Sequence, residues 1–440
     1  MKGFMIAGVS SRIGKTTVSM GLMSLFENVS PFKVGPDYID TTFHQFVTGN
    51  KSYNLDLFMM GEEGVKYSFY KHHKGISIVE GVMGLYDGMD HSLDNNSSAH
   101  LSRVLDLPVI LIVSGGGKST SIAAEVLGYK MLDNRVKIAG IIINRTTEAM
   151  YKHYKEAIEK YTEIECVGYI PKDENFEIGS RHLGLLQAGE IDNLKFKVEK
   201  LKEVLMKTIN IKKLLEIAEL GEREKVDNPF ENIKNRYSGV KIGVAKDRAF
   251  SFYYNDNLEL MEELGIELIP FSPIVDKKIP EVDLLYFGGG YPENYAKELS
   301  DNIEMMNSIK EYYNKNGKIY GECGGFMYLS SGIKLLDDKY FPMCDIIKCS
   351  IEMKDRLDIS KFGYISLHED ESFVGRGHEF HYSKIYDIEK DSRKYKAVKP
   401  NGKEWSCVFK EKNCRAGYPH IHFFKSLDYL DKIINGQIKE

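Results

Sequence analysis

No group of lysines and arginines stands clear of neighbouring acids, and the net charge is −5, so a nucleic-acid groove is not indicated. No apolar run approaches the ~20 residues that span a bilayer, and no membrane partner is expected. The opening stretch, Met1–Thr17, runs from a short apolar segment into a glycine-rich turn without a small-residue cleavage site. It does not read as a leader, and a cytoplasmic location is expected. Cysteine is sparse and scattered: Cys166, Cys323, Cys344, Cys349, Cys407 and Cys414 include no CxxC pair. Cys344 and Cys349 stand five apart, the wrong spacing for a usual zinc knuckle. A disulfide framework is not indicated, and reduced thiols are expected. Internal repeats and low-complexity tracts are lacking too.

What is present is the composition of a soluble globular protein, 42% hydrophobic and 28% charged, over 440 residues. That length predicts two domains of roughly 200 residues each. In the first half, Val- and Ile-rich runs predict strands at Gly3–Val9, Pro31–Val34, Ile76–Glu80, Pro108–Val113 and Ile138–Ile143. Helical patterns such as Lys15–Phe26 and Ser119–Leu132 lie between them. Such alternation implies a parallel sheet covered on both faces. From about Glu190 the pattern is charged and helical, and it loses its period at Gly221–Arg236. The domains are therefore set at 1–220 and 240–440, with 221–239 as the linker. A second alternating series predicts strands Lys241–Lys246, Glu267–Phe271, Leu284–Phe287 and Lys318–Gly321. After about Tyr340 short strands and charged turns suggest an antiparallel extension.

Two constellations carry chemistry. Gly8-Val9-Ser10-Ser11-Arg12-Ile13-Gly14-Lys15-Thr16-Thr17 falls between the first strand and the first helix, where a P-loop must lie for its N–H groups to face phosphate. Lys15 would reach the β- and γ-phosphates of ATP, and the Thr16 hydroxyl would ligate Mg²⁺. Five residues separate the glycines instead of the usual four, a form found in the branch holding dethiobiotin synthetase and the MinD-like ATPases. Asp37 and Asp40 follow the second strand and Glu80 ends the third, so Thr16, Asp37 and Glu80 are the expected metal ligands. Each acid alone would be a solvated turn residue; three after strands of one P-loop domain point to a site.

The second constellation is Gly321-Glu322-Cys323-Gly324-Gly325-Phe326, a strand-to-helix turn like a nucleophile elbow. The helix N-terminus would favour a Cys323 thiolate. Gly288-Gly289-Gly290 ends another strand, so the amides of Gly290 and Gly324 would form an oxyanion hole. The bland alternative is a buried structural thiol. A cysteine nucleophile needs a base, and Tyr418-Pro419-His420-Ile421-His422 offers two histidines between which spacing alone does not choose.

Together these motifs resemble the cobyrinic acid a,c-diamide synthase family. The likeness also takes in KVGPDYID with His44, SYNLD at Ser52–Asp56, VEGVMGLYDG at Val79–Gly88, SRHLGL at Ser180–Leu185, KDRAFSFYYNDN at Lys246–Asn257, FGGGYPEN, GHEFHYS at Gly377–Ser383 and YPHIHFF. It implies an α/β fold: an N-terminal P-loop domain like dethiobiotin synthetase, then a domain like class I glutamine amidotransferases. It also implies ATP- and glutamine-dependent amidation of a tetrapyrrole, in which Cys323 is the nucleophile and His420 its base. Gly8, Gly14, Lys15, Thr16 and Thr17 would bind the nucleotide, and Asp37, Tyr38 and Asp40 would serve the metal and the reacting carboxylate. Two departures stand out: Arg12-Ile13 makes the P-loop bulky, and His422 replaces the acid of ordinary class I triads. A Cys–His pair with slow glutaminase turnover is the consequence expected.

Which tetrapyrrole is amidated stays open among cobyrinic acid, hydrogenobyrinic acid and nickel-sirohydrochlorin. Arg181, Arg248 and the aromatics Phe250, Phe252, Tyr253 and Tyr254 would give it a surface, unless the aromatics are core. A homodimer is one assembly compatible with the chain. The rival from another class is a MinD-like binding ATPase with an inert rear domain. It predicts either a membrane-targeting amphipathic helix, where Leu427–Lys439 reads as only weakly amphipathic, or an early signature lysine, where Val9, Ser10 and Ser11 stand.

Overall fold

The computed structural model describes residues 1–173, 176, 180–181, 184–185, 194–221, 226–389 and 391–436. The chain divides into two compact units, Met1–Leu57 with Gly61–Pro229, and Phe58–Met60 with Phe230–Glu440.

The first unit is built on seven parallel strands: β1 Lys2–Gly8, β2 Val29–Val34, β3 Tyr53–Leu55, β4 Ile76–Glu80, β5 Val109–Ser114, β6 Ile138–Asn144 and β7 Cys166–Ile170. Their order is β3-β2-β4-β1-β5-β6-β7. Phe4, Ile6, Ile78, Ile110, Ile112 and Ile142 share one core with Val18 and Leu22 of helix α1, Lys15–Met23. Each such side chain contributes roughly 1.5–3 kcal/mol of burial free energy. β1 lies at the centre of the sheet, so the turn after it opens at the carboxyl edge where ligands of such sheets gather. Helix α2, Tyr38–Thr48, rises from the same edge after β2. The charged region beyond 190 forms helices Leu194–Thr208 and Ile211–Ile217; Glu190 itself lies outside the described residues.

The second unit has a six-stranded sheet: β8 Lys241–Ala245, β9 Glu267–Phe271, β10 Leu284–Phe287, β11 Lys318–Glu322, β12 Phe409–Glu411 and β13 Cys414–Gly417. The order is β9-β8-β10-β11-β13-β12, parallel except for the hairpin β12–β13. The antiparallel extension after Tyr340 is present as further sheets. One of them pairs Ser372–Glu379 with His420–Ile421, setting His378 opposite His420. The return of the chain into the central sheet through β12 and β13 is a feature that local patterning did not reveal.

Helix Leu427–Asn435 buries Tyr429, Leu430, Ile433 and Ile434. This corrects the reading of that segment as weakly amphipathic: its buried residues recur three and four positions apart, in helical phase, and the face is used within the fold. Among the described residues no helix is long and apolar enough to cross a membrane. All six cysteines are free and buried.

Candidate active sites

At the first site, the turn after β1 is held by three bonds from a loop, a helix and the end of β6. Leu85 N–H donates to Gly8 O (2.8 Å), the Tyr129 hydroxyl to Val9 O (2.6 Å) and Asn144 Nδ2 to Ile13 O (2.8 Å). Gly14 has φ 97°, and a Cβ there would lie 2.3 Å from Asn144 Nδ2, so the position admits only glycine. The Lys15 ammonium donates to Ser10 O (3.0 Å) and Met83 O (2.5 Å), which hold it over the loop. Thr16 and Thr17 stand in the first turn of α1, whose leading N–H groups have no partner within the helix.

The Thr16 hydroxyl donates to Glu80 Oε1 at 2.8 Å, with Asp40 Oδ1 3.3 Å away. Between these acids lies a residue the sequence reading gave no role. Lys33 of β2 is 3% exposed and pairs with Asp40 Oδ2 (2.6 Å) and Glu80 Oε1 (3.1 Å). His44 of α2 completes the cluster, with Nε2 2.7 Å from Glu80 Oε2 and Nδ1 3.1 Å from Ser52 Oγ. The structure thus gathers Thr16, Asp40, Glu80, Lys33 and His44. Asp37 is engaged differently: its Oδ1 accepts the N–H groups of Ile39 (2.8 Å) and Asp40 (2.9 Å), capping α2. Tyr38 is buried at the start of that helix, and Asn54 Nδ2 fixes the loop through Gly35 O (2.7 Å) and Asp37 O (3.0 Å).

At the second site, three neighbouring strands of one sheet end in the three predicted segments. β10 runs into Gly288–Gly290, β11 into Cys323, and β13 through Tyr418 to His420. Cys323 has φ 47° and ψ −103°, a conformation costing a side-chain-bearing residue on the order of 1–3 kcal/mol. Its N–H donates to Gly417 O (2.8 Å), and its carbonyl accepts Met327 N–H (3.0 Å) of helix Gly324–Leu329. The glycine turn is the point of convergence. A Cβ on Gly289 would lie 2.4 Å from His420 Cε1, one on Gly290 2.0 Å from Ala249 O, and one on Gly324 3.0 Å from Gly290 N. His420 and the Cys323 elbow thus press against the same backbone.

Two family models match the chain: the CobQ/CobB/MinD/ParA nucleotide binding domain over residues 4–186, and the CobB/CobQ-like glutamine amidotransferase domain over 241–427. A cobyrinate a,c-diamide synthase of Fusobacterium nucleatum subsp. nucleatum is 57% identical over 98% of this chain and 100% of its own length. The chain belongs to the cobyrinate a,c-diamide synthase family. Enzymes of that name from Caldanaerobacter subterraneus subsp. tengcongensis and Listeria innocua serovar 6a are 43% and 40% identical, over 96% and 97% of this chain and 95% and 97% of their own. The protein is accordingly a carbon–nitrogen ligase, with a nucleotide-binding domain ahead of a glutamine amidotransferase domain.

In this family member the two sites differ in electrostatics. Burial works against the Lys33 ammonium, but Asp40 and Glu80 outweigh it and raise its pKa. Burial likewise opposes charge on Glu80, yet Lys33, His44 and Thr16 hold its carboxyl below the usual range. Asp40 is pushed up, by burial and by the charges of Asp37 and Glu80. Burial and the nearby Lys33 bring Lys15 down to about 8. At the second site burial pushes the Cys323 thiol up, and Glu293 adds to it, while the Gly324 N–H works the other way. Burial among acids thus works against the thiolate that the six-residue helix favours.

Burial drives His420 well below its ordinary value, helped by His378 and His381. His378 stacks on it at 4.9 Å, is itself lowered by burial to about 3, and lies 3.0 Å from the Tyr254 hydroxyl. His422 is a core residue, lowered by burial to about 4, with Nδ1 accepting Phe424 N–H at 3.4 Å. Of the four aromatics considered for a tetrapyrrole surface, two are core, while Phe252 and Tyr253 are half-buried. Phe250 and Tyr254 are buried, and the Tyr253 hydroxyl accepts Gly288 N–H at 2.8 Å. Arg248 is exposed and stacks over Tyr295, whereas the side chain of Arg181 lies outside the described residues.

Proposed function

We propose that the chain uses ATP and glutamine to amidate the a and c acetate side chains of cobyrinic acid, by way of an acyl phosphate and with ammonia freed at Cys323. Full-length likeness to enzymes named for that product supports the substrate. The observation that carries the reading is the strained Cys323, set against the same glycine turn as His420 in a chain that also holds a P-loop. A binding ATPase has no use for such an elbow.

A carboxylate resists ammonia because its carbonyl is resonance-stabilised and oxide is a poor leaving group. Phosphorylation by ATP converts that oxide into phosphate, and the enzyme's part is positioning and charge neutralisation. The loop from Gly8 to Thr17 would bind the phosphates, with Lys15 passing from its two carbonyls to the β- and γ-oxygens. Thr16, Asp40 and Glu80 converge as hard oxygen donors, a set that fits Mg²⁺. When bound, Mg²⁺ supplies positive charge to the phosphates. Lys33 and His44 hold the two acids in place meanwhile. Asp37, Tyr38 and Asp40 would present the reacting carboxylate.

Ammonia at neutral pH is mostly ammonium, so it must be released where it is used. Cys323 would attack the glutamine amide carbon while His420 takes the thiol proton and passes it to the departing ammonia. The amides of Gly290 and Gly324 would receive the oxyanion, and water, again with His420 as base, would free glutamate. A base low in pKa beside a thiol high in pKa leaves both neutral at rest, so proton transfer is coupled to attack on bound glutamine.

The test is incubation of the purified protein with ATP, Mg²⁺, glutamine and cobyrinic acid, following product mass, ADP and glutamate. Two successive amidations are expected. No change in mass would reject cobyrinic acid, and nickel-sirohydrochlorin and hydrogenobyrinic acid would be tried in turn. ATP hydrolysis indifferent to glutamine and to every tetrapyrrole would return the reading to the binding ATPase.

A further inference from the structure

Glu322 directly precedes Cys323, and its carboxyl is 2% exposed. Its Oε1 accepts the Tyr320 hydroxyl (2.6 Å) and the Ile421 N–H (3.1 Å), and its Oε2 accepts the Tyr286 hydroxyl (3.0 Å). Those three donors come from different parts of the second site. Tyr286 lies on β10, which ends in the glycine turn; Tyr320 lies on β11, which ends in Cys323; Ile421 follows His420. Asn257 grips the same segment from its other side. Its Nδ2 donates to Ile421 O and its Oδ1 accepts Phe423 N–H, both at 2.7 Å.

We infer that Glu322 is a positioning residue of the glutaminase, fixing His420 against Cys323 through the backbone amide of Ile421 and the two tyrosine hydroxyls. The inference rests on the reading of Cys323 and His420 as the reacting pair. A buried carboxyl with no cation among its hydrogen-bond partners is costly to keep for packing alone, and burial raises this one to about 7. Its three donors are what it organises: two lie on β10 and β11, and the third on the segment His420–Ile421 that follows β13. Glutamine in its place would keep an oxygen for Tyr320 and Ile421, and the Tyr286 hydroxyl can turn to accept from the amide. Alanine would leave two hydroxyls and a buried N–H unpaired.

The experiment compares full-length Glu322→Gln, Glu322→Ala and Glu322→Met for glutamine hydrolysis and for amidation driven by ammonium, with thermal unfolding to count folded protein. For folded Glu322→Ala or Glu322→Met the kcat of glutamine hydrolysis falls about a hundred-fold, as for a misplaced catalytic group, with KM nearly unchanged and ammonium-driven amidation retained. Glu322→Gln recovers to within about ten-fold of the parent. A kcat near the parent's in either apolar variant overturns the inference. So does an equal loss with ammonium, or a glutamine variant as poor as alanine. Should neither apolar variant fold, the pair Tyr286→Phe and Tyr320→Phe frees the carboxyl; an unchanged kcat there also overturns it. Cys323→Ala, run alongside, separates the two levels. Glutamine hydrolysis surviving that change removes the reading of the reacting pair, whereas hydrolysis lost there but kept in folded Glu322→Ala removes only the role of Glu322.

Discussion

Around Glu80 the central buried pair is held ionic: Lys33 is pushed up and Glu80 down, Thr16 and His44 are turned onto the resulting charge, and Asp40 beside them shifts the other way. Around Cys323 the burial is as deep, but the shifts run toward neutrality. The thiol is raised, Glu322 and Glu293 rise to about 7, and His378, His420 and His422 are all lowered. The difference matches the two chemistries proposed. Phosphoryl transfer handles fixed charge on phosphate and metal, so it gains from counter-charges already in place. Cleaving an amide moves a proton between groups that begin and end neutral, and a dry site of uncharged thiol and imidazole suits it.

The sharpest way to break that comparison is to remove one charge from the first site. Lys33→Met leaves Asp40 and Glu80 facing each other without their cation. A loss of about 3–5 kcal/mol in urea unfolding, with ATP-dependent amidation abolished, is expected. The counterpart in the second site, His378→Phe, takes the imidazole away from the Tyr254 hydroxyl and should cost about 1–3 kcal/mol. Equal losses would mean that the two sites are not built differently. Next in size is His44→Ala, which takes one donor from a buried carboxylate. It should cost about 1.5–3 kcal/mol and weaken binding of a magnesium–nucleotide complex, read by calorimetry.

Acid tests the neutral site through the single tryptophan, Trp405, whose Nε1 donates to Glu379 Oε1 at 3.1 Å within the second unit. Unfolded histidine takes its proton near pH 6.5, whereas folded His378 and His422 do so only near 3 and 4. Between those values the unfolded chain binds more protons. The stability these residues contribute is therefore complete above about pH 6.5 and lost as the pH falls toward 4 and 3. Tryptophan fluorescence should report unfolding of this unit at progressively lower urea across that window. The smallest effect has the opposite sign. Glu322 holds its proton to about 7 when folded against 4.5 in its ordinary state, so its contribution is present below pH 4.5 and lost as the pH rises through 7. Glu322→Gln should flatten that part of the stability curve, and an unchanged slope would remove Glu322 as its source.

The sheet of the first unit was legible because β4, β5 and β6 carry runs of Val and Ile, as strands buried on both faces do. β3 and β7 escaped notice: β3 is three residues with a polar Asn54 at its middle, and β7 follows a helix without a turn signal. The P-loop, Glu80 and Cys323 could be read because each depends on neighbours in the chain. Lys33 could have been suspected as a lone cation in an otherwise apolar strand. His378 could not, since only the pairing of Ser372–Glu379 with His420–Ile421 brings it onto His420. Asp37 shows the limit of reading acids after strands: one such acid joins the cluster around Thr16, while its neighbour caps a helix.

The most direct test of two linked half-reactions is amidation measured with glutamine and with ammonium on the same preparations of Cys323→Ala and Lys15→Met. Cys323→Ala should lose the reaction with glutamine and keep it with ammonium, and Lys15→Met should lose both. Equal loss with both nitrogen sources in Cys323→Ala, or full activity with glutamine, would contradict the account.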